Sequence, residues 1–460
     1  MHFEDRFSLV SLIKSFGKEK NICKVRGIGA KILEEDLITK DIHVATCLLN
    51  AYAKCGALIE AQEIFEQILA PDVVSWNALI AGYVQNGLAN EALQCFKDMK
   101  DEGVSPNVVT YTCILKACGS IGCLDIGEWI HSEIGRRPGL LAKEVALSNT
   151  LVDMYAKCGV MEKALEVFDD IPVPDVVSWN ALIVGYAQNG LGEEALSFFC
   201  RMRDEHITPD AFTFSCVLKA CADVGALEMG QEIHVEVSKQ GLVERDIVLG
   251  TTLVDMYAKC GLFKKAQEVF KALPGEDIVS WNAIMAAYVQ VGQARKIFRL
   301  FRQMMAEGVD ATSDIVAFLL LLTVCSHAGL TKEGQMVFER MKTVYCLSPT
   351  LDHYTCMVDL LGRAGQFYNA VCILEHAPSS CDRIPLLLAL MGACYKWVNV
   401  ELGKWAFKQS VELDEKCEAA YVCMGNIYAV AGMHSEAEKL DALRMRNDIA
   451  CKIPIHLLVD

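Results

Sequence analysis

The sequence predicts an all-α solenoid built from about a dozen tandem helix-turn-helix repeats. Near-identical strings recur: DVVSWNALIAGYVQNG begins at Asp72, DVVSWNALIVGYAQNG at Asp175 and DIVSWNAIMAAYVQVG at Asp277. Two other kinds of string alternate with these, and one full cycle takes about 103 residues. Apolar residues recur at helical spacing on both sides of a glycine-containing turn. One such hairpin cannot bury its apolar side alone, so neighbouring hairpins must stack into a continuous core.

Composition and charge exclude several other classes of protein. Hydrophobic residues make up 53% of the 460-residue chain, but no apolar run reaches the roughly 18 to 20 residues of a membrane span. The 21 cysteines lie mostly within apolar periodic stretches, which favours buried thiols in a reducing compartment over a disulfide framework. The net charge of −16 argues against a non-specific nucleic-acid binder, so neither a membrane nor DNA is an expected partner. The first residues do not show the pattern of a transit peptide.

Three unit types alternate along the chain, with lengths of about 31, 35 and 36 to 37 residues. Their strings, among them SWNALIAGYVQNG, LVDMYAKCG and LKACGSIGCLDIGEWIH, resemble the P, S and L variants of plant organellar pentatricopeptide repeats. The resemblance implies a right-handed superhelix of hairpins like those of tetratricopeptide repeats. It places about eleven repeats in 1–382 and the two E motifs of the E subgroup in 383–450, and leaves 451–460 as a short tail. The implied repeats are L 6–41, S 42–72, P 73–107, L 108–144, S 145–175, P 176–210, L 211–246, S 247–277, P 278–314, L 315–350 and S 351–382.

In this family the second residue of a unit packs against a base, and the fifth, assisted by the last, hydrogen-bonds the edge of that base. The resemblance therefore implies binding of single-stranded RNA at about one base per repeat. Thr with Asp implies G, Asn with Asp implies U, and Asn with Asn implies a pyrimidine, while the L units receive no base. The implied reading pairs are Thr46 with Asp72, Asn77 with Asn107, Asn149 with Asp175, Asn180 with Asp210, Thr251 with Asp277, Asn282 with Asp314 and Thr355 with Asp382. The implied base-packing residues are Val74, Val177, Val248 and Val279.

Helix capping is a competing interpretation of these polar residues. An aspartate just before a helix is an ordinary N-cap, and this role is expected for the aspartates in any case. The asparagines recur inside a helix, between a tryptophan and an alanine in three of the four units. Asparagine is only a middling helix former, so capping does not explain its position there. The pattern therefore favours base reading for the asparagines.

Cations recur at one place in the S units, two turns past the reading residue. They are expected to contact RNA phosphates, although a lysine at a helix end also suits the helix dipole. Most of the negative charge is then expected on the outer second helices. The expected phosphate-contacting residues are Lys54, Lys157, Lys259 and Arg363, and the expected outer acids include Glu162, Glu166, Asp169 and Asp170.

The triplet His-x-Glu occurs at His131, His234 and His434. In a zinc deaminase this histidine binds the metal, but that site also needs a P-C-x-x-C partner, which the chain lacks. His131 and His234 occupy the same place in two L units, so they are residues of the repeat. The sequence therefore predicts no enzyme activity, no metal and no cofactor, and the DYW deaminase domain of some relatives is expected to be absent.

The leading functional hypothesis is a factor that recognises sites of C-to-U editing in mitochondrial or chloroplast RNA. By resemblance, the deaminase or another editing-complex protein would bind in trans through 383–450. One alternative keeps RNA binding but assigns a role in splicing, transcript stability or translation. Another is a protein-interaction scaffold, because the stretch YVCMGNIYAVAGMHSEAEKL from Tyr421 resembles a peptide-binding helical repeat.

Overall fold

The computed structural model is all-helical in the residues that it describes. Those residues are 6–136, 141, 144–273, 277–309, 314–378 and 382–446, and they form 27 helices and no strand. The predicted all-α fold is therefore confirmed. The chain divides into two compact units, Met1–Ile233 and His234–Asp460. The predicted tail 451–460 lies outside the described residues.

The first compact unit is a succession of helical hairpins. Its helices are α1 (Arg6–Lys18), α2 (Ile22–Glu34), α3 (Leu37–Lys40), α4 (Ile42–Lys54), α5 (Leu58–Glu66), α6 (Val73–Gln85), α7 (Ala89–Asp101), α8 (Val108–Ile121), α9 (Leu124–Gly135), α10 (Val145–Lys157), α11 (Met161–Asp169), α12 (Val176–Gln188), α13 (Gly192–Asp204) and α14 (Ala211–Val224). The next helix, α15 (Leu227–Lys239), contains the boundary between the units.

The second compact unit continues the same pattern. Its helices are α16 (Ile247–Lys259), α17 (Phe263–Ala272), α18 (Ile278–Gln290), α19 (Ala294–Ala306), α20 (Ile315–Ala328), α21 (Thr331–Thr343), α22 (Leu351–Arg363), α23 (Phe367–Glu375), α24 (Ile384–Trp397), α25 (Val400–Leu413), α26 (Glu418–Val430) and α27 (His434–Arg446). From α4 onward, even-numbered helices are the first helices of hairpins and odd-numbered helices are the second.

Capping residues explain where most first helices begin. Asp72 accepts hydrogen bonds from the backbone N–H groups of Val74 and Ser75 at 3.1 and 2.9 Å, so α6 starts at the next residue after Asp72. Asp175 caps α12 in the same way, through a 2.9 Å bond from Ser178 N–H. Each even-numbered helix from α4 to α22 begins at the first residue of a repeat assigned from the sequence.

Aromatic pairs join each S hairpin to the following P hairpin. Trp179 of α12 is fully buried, and its ring centroid lies 4.8 Å from that of Phe168 in edge-to-face geometry. The same pairing recurs for Phe65 and Trp76 at 4.5 Å and for Phe270 and Trp281 at 4.9 Å. Since these rings belong to different hairpins, they fix the stacking of one hairpin on the next.

The first helices of stacked hairpins approach one another closely. A Cβ atom on Gly185 of α12 would lie 2.6 Å from the Cβ of Ala156 in α10, so only glycine allows this spacing. Asn189, at the end of α12, donates from its Nδ2 to the carbonyl oxygen of Ala156 at 2.8 Å. These contacts set successive first helices side by side.

Candidate nucleic-acid interface

First helices in the unit Met1–Ile233 enclose a cleft of about 480 Å³. All of its lining residues lie on α8, α10, α12 and α14 or at the cap of α12, and we call this cleft the groove. Residues predicted to read or pack against bases in two neighbouring repeats therefore lie in the same groove. The lining residues are Thr112, Lys116, Ala146, Asn149, Thr150, Asp153, Asp175, Val177, Asn180, Ala181, Val184 and Phe212.

The asparagine reading pairs are joined by direct hydrogen bonds. In all four pairs the amide Nδ2 of the fifth residue donates to a side-chain oxygen of the last residue, across 26 to 32 residues of sequence. The last residue of the unit thus orients the amide of the fifth. The donor–acceptor distances are 3.1 Å from Asn77 to Asn107, 3.4 Å from Asn149 to Asp175, 3.4 Å from Asn180 to Asp210 and 2.9 Å from Asn282 to Asp314.

The aspartates of two such pairs are held in the charged form. Burial acts to raise the pKa of Asp175, but hydrogen bonds from Ser178 and Asn149 outweigh it, so this pKa lies below its ordinary value. The pKa of Asp210 is lowered in the same way, because bonds from Thr213 and Asn180 outweigh burial. An ionised carboxylate only accepts hydrogen bonds, so it forces the amide to turn its NH₂ group toward it.

Asn107 is held by hydrogen bonds inside the protein, which agrees with the assisting role expected of the last residue of a unit. Its side-chain oxygen accepts one bond from Asn77 and another, at 3.1 Å, from the backbone N–H of Thr110. The second bond belongs to a capping box at the start of α8. The structure therefore gives Asn107 the roles of helix cap and orienting partner, and a direct contact between Asn107 and a base stays a prediction.

Asp314 is 6% exposed, about as buried as Asn77, Asn149 and Asn180, and both of its carboxylate oxygens have partners inside the protein. Its Oδ1 accepts from the backbone N–H of Val316 at 3.0 Å, which caps α20, and its Oδ2 accepts from Asn282. Each carboxylate oxygen is thus already used inside the protein. Asp314 therefore caps α20 and orients the amide of Asn282, which is the assisting role expected of a last residue, and a direct contact with a base stays a prediction.

The threonine pairs are arranged differently. The hydroxyls of Thr251 and Thr355 donate to carbonyl oxygens of their own helices at 2.9 Å. A hydroxyl has one hydrogen to donate, so this bond and one to the partner aspartate are mutually exclusive. In these pairs the aspartates bond the start of the next helix. Asp277 is the N-cap of α18 and accepts from Ser280 N–H at 2.9 Å, and Asp382, just before the N-cap Arg383, accepts from Ile384 N–H at 3.0 Å.

Thr46 and Asp72 are connected through a third residue. Thr46 Oγ1 lies 2.7 Å from the carbonyl oxygen of Ile42 and 3.1 Å from Ser75 Oγ. The Ser75 hydroxyl in turn donates to Asp72 at 2.8 Å. The two residues of this pair therefore communicate by a chain of hydrogen bonds, without the direct contact of the asparagine pairs.

The predicted base-packing valines all point to solvent. The exposed fractions are 56% for Val74, 55% for Val177, 61% for Val248 and 57% for Val279. Sequence reasoning named no residue at this register of the L units, yet apolar side chains are exposed there too. These side chains are Val109, Phe212 and Val316. Each is the second residue of its L unit, so the repeat pattern alone could have identified them. Exposed apolar side chains at one fixed register are suited to packing against flat ligand faces.

Three of the four predicted phosphate-contacting cations are paired with an acid one turn earlier on the same helix. The nitrogen–oxygen distances are 2.7 Å for Lys157 and Asp153, 3.3 Å for Lys259 and Asp255, and 2.8 Å for Arg363 and Asp359. The residue one turn before Lys54 is Asn50, which carries no charge. Sequence reasoning named the cations and missed these acids, which reduce the positive charge offered to a polyanion.

The outer second helices differ in charge. The expected acids Glu162, Glu166, Asp169 and Asp170 lie on α11 or just after it. Helix α19 departs from this pattern, because it carries four cations and no acid. The negative charge is therefore not spread evenly over the second helices.

The two repeated histidines are partners of tyrosines. His131 Nδ1 lies 2.9 Å from the hydroxyl oxygen of Tyr155, and His234 Nδ1 lies 2.8 Å from that of Tyr257. Burial lowers the pKa of both imidazoles. In the described parts of the chain, no group of three or more His, Cys, Asp or Glu side chains is placed to hold a metal ion. These histidines therefore belong to the packing between an L hairpin and the next S hairpin.

Tandem helical hairpins whose first helices place amides and apolar side chains in one cleft are typical of helical-repeat proteins. Known families match the chain at several places: the PPR repeat family at 71–120 and 174–223, the E motif at 397–456, the PPR repeat at 44–70, 147–172, 251–278 and 279–309, and the pentatricopeptide repeat domain at 309–364. The chain belongs to the pentatricopeptide repeat proteins and carries an E motif.

Relatives in Arabidopsis thaliana support this assignment. The putative pentatricopeptide repeat-containing protein At3g05240 is 36% identical over 404 residues, which is 86% of this chain and 71% of that protein. Pentatricopeptide repeat-containing protein At4g38010 is 33% identical over 98% of this chain and 79% of its own length. The chloroplastic relative At1g11290 is 34% identical, and the match covers 89% of this chain and only 50% of that protein.

Solved structures share the fold. The maize pentatricopeptide repeat protein PPR10 matches 97% of this chain and 69% of its own, with a TM-score of 0.51 and 22% identity. PPR10 in complex with an 18-nt psaJ RNA element matches 92% of this chain and 62% of its own, with a TM-score of 0.63 and 20% identity. Within the described residues, no helix combines the length and apolar character needed to cross a bilayer.

Proposed function

We propose that this protein binds single-stranded RNA in a sequence-specific way, with one base read by each P or S repeat. The observation that carries the proposal is the groove, where Asn149 and Asn180 lie beside the exposed apolar side chains of Val177 and Phe212. A base needs apolar contact on its face and a hydrogen-bonding group at its edge, and this groove offers both. PPR10, which shares the fold, has been solved with RNA bound.

The reading pairs give a target sequence. With the N-terminal repeat toward the 5′ end, as family resemblance implies, the order is x-G-Y-x-U-U-x-G-U-x-G, where Y is a pyrimidine and x is unassigned. In the asparagine pairs one N–H of the amide is used by the last residue, which leaves the other for the base. Uracil offers carbonyl oxygens that accept such a bond.

We propose further that the protein marks a site for C-to-U editing in an organellar transcript. The E motif at 397–456 supports this role, as do relatives named mitochondrial and chloroplastic. The segment 382–446 exposes Trp397, Trp405 and Leu413 at 52%, 37% and 57%, and exposed apolar side chains of this size suit contact with a protein that supplies the deaminase. Removing the protein should abolish editing of one cytidine, four nucleotides 3′ of the last G. If transcript sequencing shows normal editing of every such cytidine in the absence of the protein, the editing role is excluded and the RNA binding serves another process.

Thr251→Asn should change the base preferred at the eighth nucleotide from G to U. The new amide would reach Asp277 as Asn180 reaches Asp210, while the lost hydroxyl served only Val248 in its own helix. The shift should be worth about 1 kcal/mol or more, the size of one unmade hydrogen bond to a base edge. Binding is measured with four RNAs that differ at this nucleotide alone.

Thr252→Asn is the matched control for this substitution. Thr252 lies next to Thr251 on the same helix, and its hydroxyl also donates to the carbonyl oxygen of Val248, at 2.8 Å. This variant should rank the four RNAs as the parent does. If the variant at Thr251 also ranks them as the parent does, Thr251 does not read a base.

Asp153→Asn should strengthen RNA binding and steepen its salt dependence. The substitution releases Lys157 from a 2.7 Å ion pair, and each cation freed for a phosphate adds about 0.7 to the slope of log K against log salt on single strands. Glu162→Gln, which removes one charge from a second helix, should leave the slope unchanged. Equal slopes for both variants would show that Lys157 does not contact phosphate.

A further inference from the structure

The carbonyl oxygens of the reading asparagines do not have the same partners. The hydroxyl of Thr110 lies 2.7 Å from Asn77 Oδ1, and the hydroxyl of Thr213 lies 2.7 Å from Asn180 Oδ1. Both threonines are fully buried, and both are the third residue of the repeat that follows the asparagine. Each hydroxyl has a single hydrogen and also lies near the oxygen of the last residue, at 3.2 Å for Thr110 and Asn107 and at 2.8 Å for Thr213 and Asp210. In these two units the amide nitrogen bonds the last residue of its own repeat, and the third residue of the next repeat is placed to donate to the amide oxygen.

The other two asparagines lack this second support. Asn149 Oδ1 and Asn282 Oδ1 are buried without a hydrogen-bond partner among the described residues. The third residue of the repeat after that of Asn149 is Ser178. Its hydroxyl lies 2.9 Å from Asp175 Oδ1, much as that of Thr213 lies 2.8 Å from Asp210 Oδ1, but it makes no hydrogen bond to Asn149 Oδ1. The third residue of the repeat that follows the repeat of Asn282 is Ala317, which has no hydroxyl. Two units with the same type of reading pair thus differ in how firmly their amide is fixed.

The difference bears on which atom a base meets. An aspartate such as Asp210 binds one hydrogen of the amide NH₂ group, and the threonine hydroxyl, which also lies near the aspartate, can donate to the carbonyl oxygen of the amide. With both ends fixed, the amide plane is fixed, and its second N–H has one direction left. With the carbonyl oxygen unbound, the plane can turn about the bond to the aspartate, so the N–H is less well directed. A donor that is aligned before binding discriminates better between bases, because it does not have to be ordered on binding.

We propose that the third residue of the following repeat is a positioning residue for base selection. Thr110 and Thr213 make Asn77 and Asn180 strict readers, while Ser178 and Ala317 leave Asn149 and Asn282 more tolerant. The proposal rests on the proposed function, because it refines how the same asparagines read RNA.

Capping is the structural role that this proposal must be separated from. Thr213 Oγ1 also accepts a hydrogen bond from the backbone N–H of Asp210, at 3.1 Å, which completes a capping box at the start of α14. Ser178 does the same for Asp175 at 3.2 Å, at the start of α12. Since Ser178 has the capping role without the contact to the asparagine, it provides a matched control.

The first experiment compares the parent with Thr213→Val and Thr213→Ser. The full chain is titrated with the RNA A-G-U-A-U-U-A-G-U-A-G and with versions in which only the sixth nucleotide is changed. The preference of Thr213→Val for U at this nucleotide should fall about fivefold, the equivalent of one hydrogen bond. Thr213→Ser keeps the hydroxyl and should retain the preference. Thermal melting of each variant shows that the chain remains folded.

Two further variants separate positioning from capping. Ser178→Ala removes a capping box but no bond to Asn149, so preference at the fifth nucleotide should stay within about twofold of the parent. Ala317→Thr should supply the missing donor to Asn282 and raise the preference for U at the ninth nucleotide about threefold or more. A gain of selectivity cannot come from partial unfolding.

The outcomes distinguish this proposal from the one on which it rests. A parent that binds all four sixth-nucleotide RNAs equally would overturn base reading by Asn180 and this proposal with it. A parent that prefers U, with Thr213→Val unchanged, would overturn only the positioning role. The positioning role also fails if Ser178→Ala loses as much preference at its nucleotide as Thr213→Val does, or if Ala317→Thr gains none.

Discussion

Trp179→Ala should lower the free energy of unfolding of its part of the repeat array by about 3 to 5 kcal/mol. The indole is fully buried between two hairpins, edge-on to Phe168, so its loss leaves a large cavity at the joint. In a stacked array each hairpin is stabilised only by its neighbours, so opening should begin at this joint. Hydrogen exchange of α11 and α12, together with thermal melting, measures the effect.

Two other substitutions test the cause. Trp129 is 38% exposed, beside the Lys100 ammonium at 3.9 Å from its ring, so Trp129→Ala should cost about 1 kcal/mol. Trp179→Phe should also cost far less than alanine, because the Trp179 Nε1–H is buried without a partner among the described residues and its removal offsets part of the lost volume. Equal losses for Trp179→Ala and Trp129→Ala would show that the joint does not depend on the buried ring.

Phe212→Ala should weaken RNA binding by about 1 to 3 kcal/mol, the range for one base stacked on an aromatic side chain. The ring lines the groove beside Asn180 and is 58% exposed, so its loss should hardly change stability. Stacking acts on the face of a base, which all four bases have. The variant should therefore bind every RNA more weakly without changing the preferred base at any nucleotide.

Tyr368→Ala is the control for this loss of an aromatic ring. Tyr368 is 82% exposed on a second helix, α23, whereas the groove is lined by first helices. Its variant should bind RNA as the parent does. A loss of affinity in both variants would indicate a general surface effect, and no loss in Phe212→Ala would remove the groove from the binding site.

Thr213 and Phe212 are neighbours in sequence, but their substitution should affect RNA binding in different ways. Loss of the Phe212 ring should lower affinity and keep base preference, whereas loss of the Thr213 hydroxyl should lower preference at a single nucleotide. The reason is that the ring lines the groove while the hydroxyl is buried against Asn180. Comparing the two variants on the same set of RNAs therefore separates packing on a base from reading its edge.

Much of the fold followed from local sequence. Recurrent strings, helical periodicity and glycine turns predicted the hairpins, and an aspartate before a helix predicted its start, as at Asp72 and Asp175. These signals lie within a few residues of one another, so a single sequence displays them. The register of the exposed valines, at the second residue of the helix, followed from the same local pattern.

The acids that pair with the cations of the S units were visible in the local pattern, and sequence reasoning overlooked them. Asp153 lies four residues before Lys157, a spacing at which side chains on a helix are neighbours, and the structure shows that the two side chains meet. Lys54, with Asn50 in the same place, shows that equivalent cations in the repeats are not electrostatically equivalent. The structure changed the expected phosphate contacts from four similar cations to three paired with an acid and one preceded by an asparagine.

The last residues of the repeats show a limit of local pattern. Sequence reasoning expected residues such as Asn107 and Asp314 to assist the fifth residue of their repeat, but it did not give the atoms that make the contact. In the structure their side-chain oxygens bind that fifth residue, an asparagine, and the backbone of the next helix. A position in the repeat identifies the residue, but the direction of its oxygens depends on how two hairpins stack.

By itself the sequence determined the hairpins, their order, the family and the helix face on which the proposed reading residues lie. Only the tertiary structure decided which atoms of those residues remain available to a ligand. Asn180 bonds Asp210 and Thr213, which are 30 and 33 residues away and come close only when hairpins stack. A hydrogen bond between hairpins depends on distances of a few tenths of an ångström and on which single hydrogen a hydroxyl donates. Helical periodicity fixes the direction of a side chain, but it does not specify these distances or the acceptor that a hydroxyl chooses.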